Sequence, residues 1–309
     1  WNEGKVADVE GYYENAKINR VYVDRVHVKK AFAEYTAAYN ADDPKIKLKI
    51  DHTYRVAALC ERIAKAAGMC AYDVELAWLS GMLHDVGRFE QIKRYNTFSD
   101  AASVDHAKFG ADLLFKDGLI STFLNGMVKC TGYKPGALEN RYSSDGVFLY
   151  DRLNKSDMEM LELAIRCHNM YRIPQGLNRR EQAFCNVLRD ADKVDIFKVN
   201  IDTPLEEIYN TTTEELMKSD ITDEVLEAFD EEHCILKAIR RTPADTVIGH
   251  VSLAYELVYD ESVRITVEQG YLAKLMHFHS DNEETNRKMA MVREKMDSYV
   301  KKRIGEKDA

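Results

Sequence analysis

The chain reads as an all-α protein, and three features of its sequence carry that reading. Glycine (15) and proline (5) are sparse for 309 residues, so few positions interrupt a helix. Ala, Leu, Glu, Lys and Met recur at helical spacings, without the strict alternation of a half-buried strand. The breakers that do occur, among them Asp43-Pro44, Gly68 and Pro174, fall where periodic apolar runs end. A chain of this length has room for one large domain or two small ones and for a sizeable core.

Taken in order, residues 18–40 carry Val21, Val23, Val26, Val28, Ala31, Phe32 and Tyr35, the pattern of an amphipathic helix closed before Asp43-Pro44. The next helix has Ile50, Tyr54, Val56, Leu59 and Ile63 as its buried stripe and Gly68 as its stop. Val74 to Leu83 is apolar on nearly every side and is expected as a central helix. Residues 88–103 are polar and aromatic, which predicts a loop over a pocket. Ser103 or Asp105 would cap a helix running through Leu114. Residues 131–154, with Gly132, Pro135, Gly136 and Gly146, read as a long mobile segment. Helices are expected from Met158 to His168 and over 180–199. Thr203-Pro204-Leu205-Glu206 has the form of a capping box. The last helix, Asn282 to Ile304, turns Met289, Val292, Met296, Tyr299 and Val300 to one side.

Charge and cysteine usage narrow the function classes. A formal net charge of -9 disfavours a nucleic-acid polymer or an anionic membrane as partner, while leaving room for a local phosphate-binding pocket. Cysteines 60, 70, 130, 167, 185 and 234 show no CxxC and no close pairing, as expected of reduced thiols in a cytoplasmic protein. No apolar run approaches the ~18 to 20 residues that span a bilayer.

The chemistry is concentrated in short segments at helix boundaries. His52 lies in Ile50-Asp51-His52-Thr53, His84 and Asp85 in Met82-Leu83-His84-Asp85-Val86-Gly87-Arg88, and Asp192 in Asp190-Ala191-Asp192-Lys193. His106 follows Val104-Asp105, and His168 follows Ile165-Arg166-Cys167. Imidazoles and carboxylates are the ligands of a divalent ion, and a carboxylate can bridge two ions about 3.5 to 4 Å apart. Any one of these histidines alone is more often a helix-end or core side chain. Their ordered set is what points to metal.

The order His, His-Asp, Asp over residues 45–200 resembles the HD-domain superfamily of metal-dependent enzymes, and His106 and His168 stand where its dinuclear branch has two further histidines. The resemblance implies a helical HD-domain bundle with additional C-terminal helices. It divides the chain into a helical segment packing on the core (1–44), a metal-binding catalytic core (45–200) and a C-terminal extension of the same globular unit (201–309). It implies one ion on His52, His84, Asp85 and Asp192 and a second on His106 and His168, with Asp85 bridging. Iron or manganese comes first, with magnesium, cobalt or nickel as alternatives. Asp85 and Arg88 would be catalytic, with Arg88 gripping a phosphate. Lys108, Tyr171, Arg172 and Lys193 adjoin the ligands and are candidate substrate contacts, although solvated helix faces explain them nearly as well.

The implied activity is hydrolysis of a small phosphorylated metabolite or nucleotide by a metal-activated hydroxide. Asn169 follows His168 and no GYP tripeptide occurs, so the resemblance to HD-GYP cyclic-di-GMP phosphodiesterases is poor. The same ligand order is shared with di-iron HD oxygenases acting on a polyol or phosphonate, the second reading. A regulatory helical protein retaining a structural metal is the third.

Overall fold

The computed structural model describes residues 23–40, 42–124, 129–130, 148–149, 153, 155–209 and 211–305. The expectation of a mobile segment over 131–154 falls largely outside them, as does the N-terminal part of the first predicted helix. The fold is all-α, a helical bundle, and its only strands among the described residues are the two-residue pair β1 (Lys129–Cys130) and β2 (Phe148–Leu149).

Helix α1 (Arg25–Thr36) starts at Asp24, whose carboxylate accepts from the N–H groups of Val26 and His27. Helix α2 (Pro44–Ala66) has Asp43 as its cap and Pro44 in its first turn, and Gly68 follows it at φ 73°. Its buried face holds Ile46, His52, Val56, Ala57, Cys60 and Ile63. Helix α3 (Ala71–Leu83) is buried along nearly its whole length, from Val74 to Leu83 with only Glu75 partly exposed. It lies directly on α2 at Gly81, where a Cβ would stand 2.6 Å from the Ala57 Cα.

The segment expected as a loop from residue 88 is instead helix α4 (Val86–Tyr95), ended by Asn96 in the left-handed conformation. Val86, Phe89 and Ile92 recur every third residue and are buried, which outweighs the polar residues between them. The loop is confined to the stretch after it. Helix α5 (His106–Ala111) begins at Asp105, which accepts from Lys108 N–H, and runs into a π-turn over Asp112–Lys116.

Short α6 (Ile120–Leu124) packs beside α1. Helices α7 (Lys155–Cys167) and α8 (Arg179–Asp202) complete the bundle with α2 and α3, and Asn178 and Glu181 form a capping box at the start of α8. Thr203, expected to open a helix, closes α8 by donating its N–H to Val199 O. The chain continues through α9 (Leu205–Tyr209), α10 (Thr213–Lys218), α11 (Asp223–Asp230), α12 (Pro243–Val251), α13 (Asp260–Gln269), α14 (Tyr271–Met276) and α15 (Glu283–Ile304).

Helices α13 and α14 pack on α8. Their anchor is Asp190, fully buried, which accepts from Val258 N–H (2.9 Å), Tyr259 N–H (3.0 Å) and Ser262 Oγ (2.7 Å) at the start of α13. Met289, Val292, Met296 and Val300 of α15 are buried, whereas Tyr299 is only partly so.

The turn bearing His84 and Asp85 meets α5 backbone to backbone. A Cβ on Gly87 would lie 2.5 Å from His106 O and 2.7 Å from Gly110 N. We expect Gly87→Ala to force α4 and α5 apart and lower stability by about 1–3 kcal/mol, read from denaturant midpoints. An unchanged midpoint would show that this contact yields without strain.

Candidate metal centre

Five pieces of chain converge on one point. His52 comes from the middle of α2, His84 from the end of α3 and Asp85 from the junction with α4. His106 opens α5, His168 follows α7, and Asp192 lies in α8. All four imidazoles are buried, at 5% exposure or less, and Asp85 is 2% exposed. Sequence reasoning named these six, and the fold brings all six together.

The orientation of the rings is the decisive geometry. Each Nδ1 meets an acceptor away from the centre: His84 the Gly81 carbonyl (2.8 Å), His168 the Ile165 carbonyl (2.7 Å), His52 the Asp195 carboxylate (2.6 Å) and His106 the Asp100 carboxylate (2.7 Å). A carbonyl only accepts, so the Nδ1 atoms of His84 and His168 carry the protons, and the carboxylates favour the same tautomer for the other two. The Nε2 lone pairs then face inward. His52 and His84 bring theirs to 3.3 Å of each other, and His106 and His168 to 3.0 Å. Two lone pairs at such distances repel unless a cation lies between or beside them.

Asp85 stands between the two pairs. Its Oδ2 is 3.5 Å from the Nε2 atoms of both His52 and His84, and its Oδ1 is 3.5 Å from that of His106 and 3.7 Å from that of His168. Oδ1 is buried without a hydrogen-bond partner, an arrangement that is costly unless a cation satisfies it. His52, His84 and Asp85 form one group able to hold a metal ion, and Asp85, His106 and His168 form another. Asp192 Oδ1 adjoins the first, 3.2 Å from His52 Nε2 and 3.8 Å from His84 Nε2. The donor set fits divalent ions.

Electrostatics agree with the geometry. Burial opposes charge on Asp85, yet Lys49, His84, His106 and Arg88 hold its carboxyl well below the usual range. Burial also opposes charge on Asp192, but His52, whose ring is nearest, and then His84 and His168 hold its carboxyl low. His106 is pushed down to about 4 by burial and by Arg88, and His168 to about 4 by burial and by His84. Against burial and Lys49, Asp192 and Asp195 raise His52 above its ordinary value.

Several contributors are missing from the sequence-predicted set. Lys49 Nζ lies 2.7 Å from Asp85 Oδ2. Asp195 joins His52 to Arg55, whose Nε is 2.6 Å from its Oδ1. Both were legible in principle, since Lys49 precedes His52 by three and Asp195 follows Asp192 by three, one helical turn each. Asp100 was not, because it reaches His106 from the loop after α4. Asp100, Asp105 and His106 form a third group of possible ligands, but the oxygens of Asp100 are already taken by His106, Arg88, Gln91 and Asn169.

Arg88 is 14% exposed, so it is no surface ion pair. Its Nη1 donates to Phe98 O (2.7 Å), Gln91 Oε1 (2.8 Å) and Asp100 Oδ1 (3.0 Å), while its Nε is buried and unbonded, 3.7 Å from Asp85 Oδ1. The weaker substrate candidates fare differently. The Lys108 side chain is 59% exposed and paired with Asp105 at 2.9 Å. Tyr171 donates its hydroxyl to Cys234 O (2.9 Å), and Arg172 lines a separate cavity. Lys193 is buried beside Asp192.

Residues 50–197 match the HD domain family. This stretch of the chain is an HD domain. No curated protein and no solved structure matches the chain. HD domains bind divalent metals, and the two His/Asp groups lie inside the matched stretch. Among the described residues no helix is long and apolar enough to cross a membrane.

The pH response of the metal-free protein follows from His106 and His168. The unfolded chain protonates these rings below about 6.5 and the folded one only near 4, so stability falls as pH is lowered through that window. We expect the melting temperature of the chelated protein to drop between pH 7 and 4.5, and divalent metal at pH 7 to raise it. A flat profile would mean that the rings are protonated within the fold.

Proposed function

We propose that this HD domain is a metal-dependent phosphohydrolase or phosphodiesterase acting on a small phosphorylated metabolite or nucleotide, with His52, His84, Asp85 and Asp192 holding one ion and Asp85, His106 and His168 a second. The observation that carries the phosphate assignment is a pair of cations at the bridging carboxylate. Lys49 Nζ and Arg88 Nε approach opposite oxygens of Asp85, at 2.7 Å and 3.7 Å. Phe98 lies under both, with its ring centre 5.5 Å from Lys49 Nζ and 5.6 Å from Arg88 Cζ. A neutral polyol has no use for two positive charges beside the centre, whereas a phosphoryl group, like a phosphonate, does, and the oxygen-uptake measurement separates those two.

Bound divalent ions would supply Lewis acidity and a water of lowered pKa. The protein's own part is positioning and charge. Asp195 and Asp100 fix the His52 and His106 tautomers so that their Nε2 atoms stay available. Gln91, Asp100 and the Phe98 carbonyl hold one edge of Arg88 and leave its Nε free for a phosphoryl oxygen. Lys49 offers a second donor to the same oxyanions, where charge grows during in-line displacement. Burial of the four rings excludes bulk water and strengthens these interactions.

The test is a phosphate-release screen over nucleotides, cyclic nucleotides and sugar phosphates with metal-loaded protein, alongside oxygen uptake with polyols and phosphonates. Phosphate release without oxygen uptake is the expected result, and oxygen consumption with no hydrolysis would replace this reading by the di-iron oxygenase one. Elemental analysis should find close to two ions per chain. Asp85→Ala should lose both, whereas His106→Ala or His168→Ala should retain about one ion with turnover reduced on the order of 10²–10³-fold. If His106→Ala and His168→Ala keep two ions and normal rates, the centre is mononuclear.

Arg88→Ala should lower turnover about 10²-fold at unchanged metal content, because a guanidinium is no ligand. Unaltered kinetics with every active ester would restrict Arg88 to bracing the loop after α4.

A further inference from the structure

Helix α8 is polar on two sides. Successive residues advance about 100°, so Asp192 and Asp195 share the face turned to His52. Gln182, Asn186, Arg189 and Lys193, spaced by four, three and four, share another face about 120° away. Part of that second face lines a cavity of about 680 Å³, closed by the loop after His168 and by residues 233, 256 and 258 of the C-terminal extension. None of the six candidate ligands lines it. The volume falls within the roughly 300–1,000 Å³ of small-molecule sites.

Its charge runs against that of the chain, which has 52 acidic and 43 basic residues. Arg189, 7% exposed, gives its guanidinium only to the backbone carbonyls of Met170 and Tyr171. Lys193, one turn further along the same face, is 9% exposed. Arg172 stands exposed at the rim, 5.7 Å over the Tyr171 ring. Among the described residues none of these three forms an ion pair. Many other arginines grip carboxylates, as Arg25 does Glu61 and Glu75, Arg62 does Glu261 and Glu268, and Arg180 does Asp73 and Asp157. Glu256 is the single carboxylate of the lining, and its Oε1 already accepts from Cys234 N–H at 3.4 Å. Lys193 has Asp190, Asp192 and Glu256 near it, but Arg189 is removed from water without a counter-ion, a costly state that an anionic ligand offsets.

The rest of the lining narrows the ligand. Ile173, Pro174, Leu177 and Val258 make an apolar wall, and the Gln182 and Asn186 carboxamides each offer a donor and an acceptor beside it. We propose that this cavity is a second ligand site, distinct from the metal centre, for a nucleoside phosphate. The phosphate lies at Arg172 and Arg189, and the base lies along the apolar wall with its edge read by Gln182 and Asn186. The assignment rests on the cavity alone and stands whether or not the HD domain proves to be a phosphohydrolase.

The experiment is calorimetric titration of the full chain with AMP, GMP and inorganic phosphate, after chelation of metal, on the wild type and on Arg172→Glu, Asn186→Leu and Asp85→Asn. Arg172 is exposed, so its replacement leaves folding intact, and melting temperatures check this for each variant. We expect a nucleotide to bind about tenfold or more tighter than inorganic phosphate, to weaken at least about tenfold in Arg172→Glu and in Asn186→Leu, and to bind unchanged in Asp85→Asn. Absence of nucleotide binding, equal affinity for inorganic phosphate, or loss in Asp85→Asn with retention in Arg172→Glu would each overturn the proposal. A failed phosphate-release screen would bear on the metal centre and leave this result untouched.

Discussion

Four imidazoles held with their Nε2 lone pairs facing inward around one carboxylate are the constraint on which this architecture turns. The constraint is set from outside the centre. Two main-chain carbonyls and two carboxylates occupy the Nδ1 positions, so no ring can turn its proton inward without abandoning a buried acceptor. The helices that carry the rings are therefore locked relative to one another by second partners as much as by the rings themselves. Repulsion that would otherwise loosen the core becomes a standing demand for positive charge at a fixed point.

The packing around that point serves its spacing. Glycines at 81 and 87 let α2, α3 and α5 approach at backbone distance, which brings rings from three helices within reach of Asp85. Lys49 and Arg88 then add positive charge at Asp85, and Phe98 and Asp100 steady them from the loop after α4. The loop thus belongs to the centre through Asp100 and Phe98.

Much of this was legible in the sequence, for reasons that differ by residue. Helix-to-helix order and the apolar stripe of α2 follow from periodicity, and the six ligand candidates follow from an ordered motif set in helical contexts. The sequence predicts loop where α4 forms because Val86, Phe89 and Ile92 are too few to dominate a polar stretch until α5 and α1 supply the surfaces they bury against. Asp100 was invisible because only the path of a loop brings it to His106, and no local pattern encodes that path. Arg172, four residues after His168, lies in the bend beyond α7 and lines a separate cavity instead. Proximity in sequence is a poor guide once a helix has ended.

Asp190 has a consequence for how the molecule may be divided. It lies two residues before Asp192, and its donors all come from residues 258–262. An HD fragment ended near residue 200 would retain this buried carboxylate while discarding each group that solvates it. The wound would open on the helix that presents Asp192, so the tail functions as a splint for the ligand helix, and dissection of this chain by truncation would report on a broken centre rather than on an isolated one.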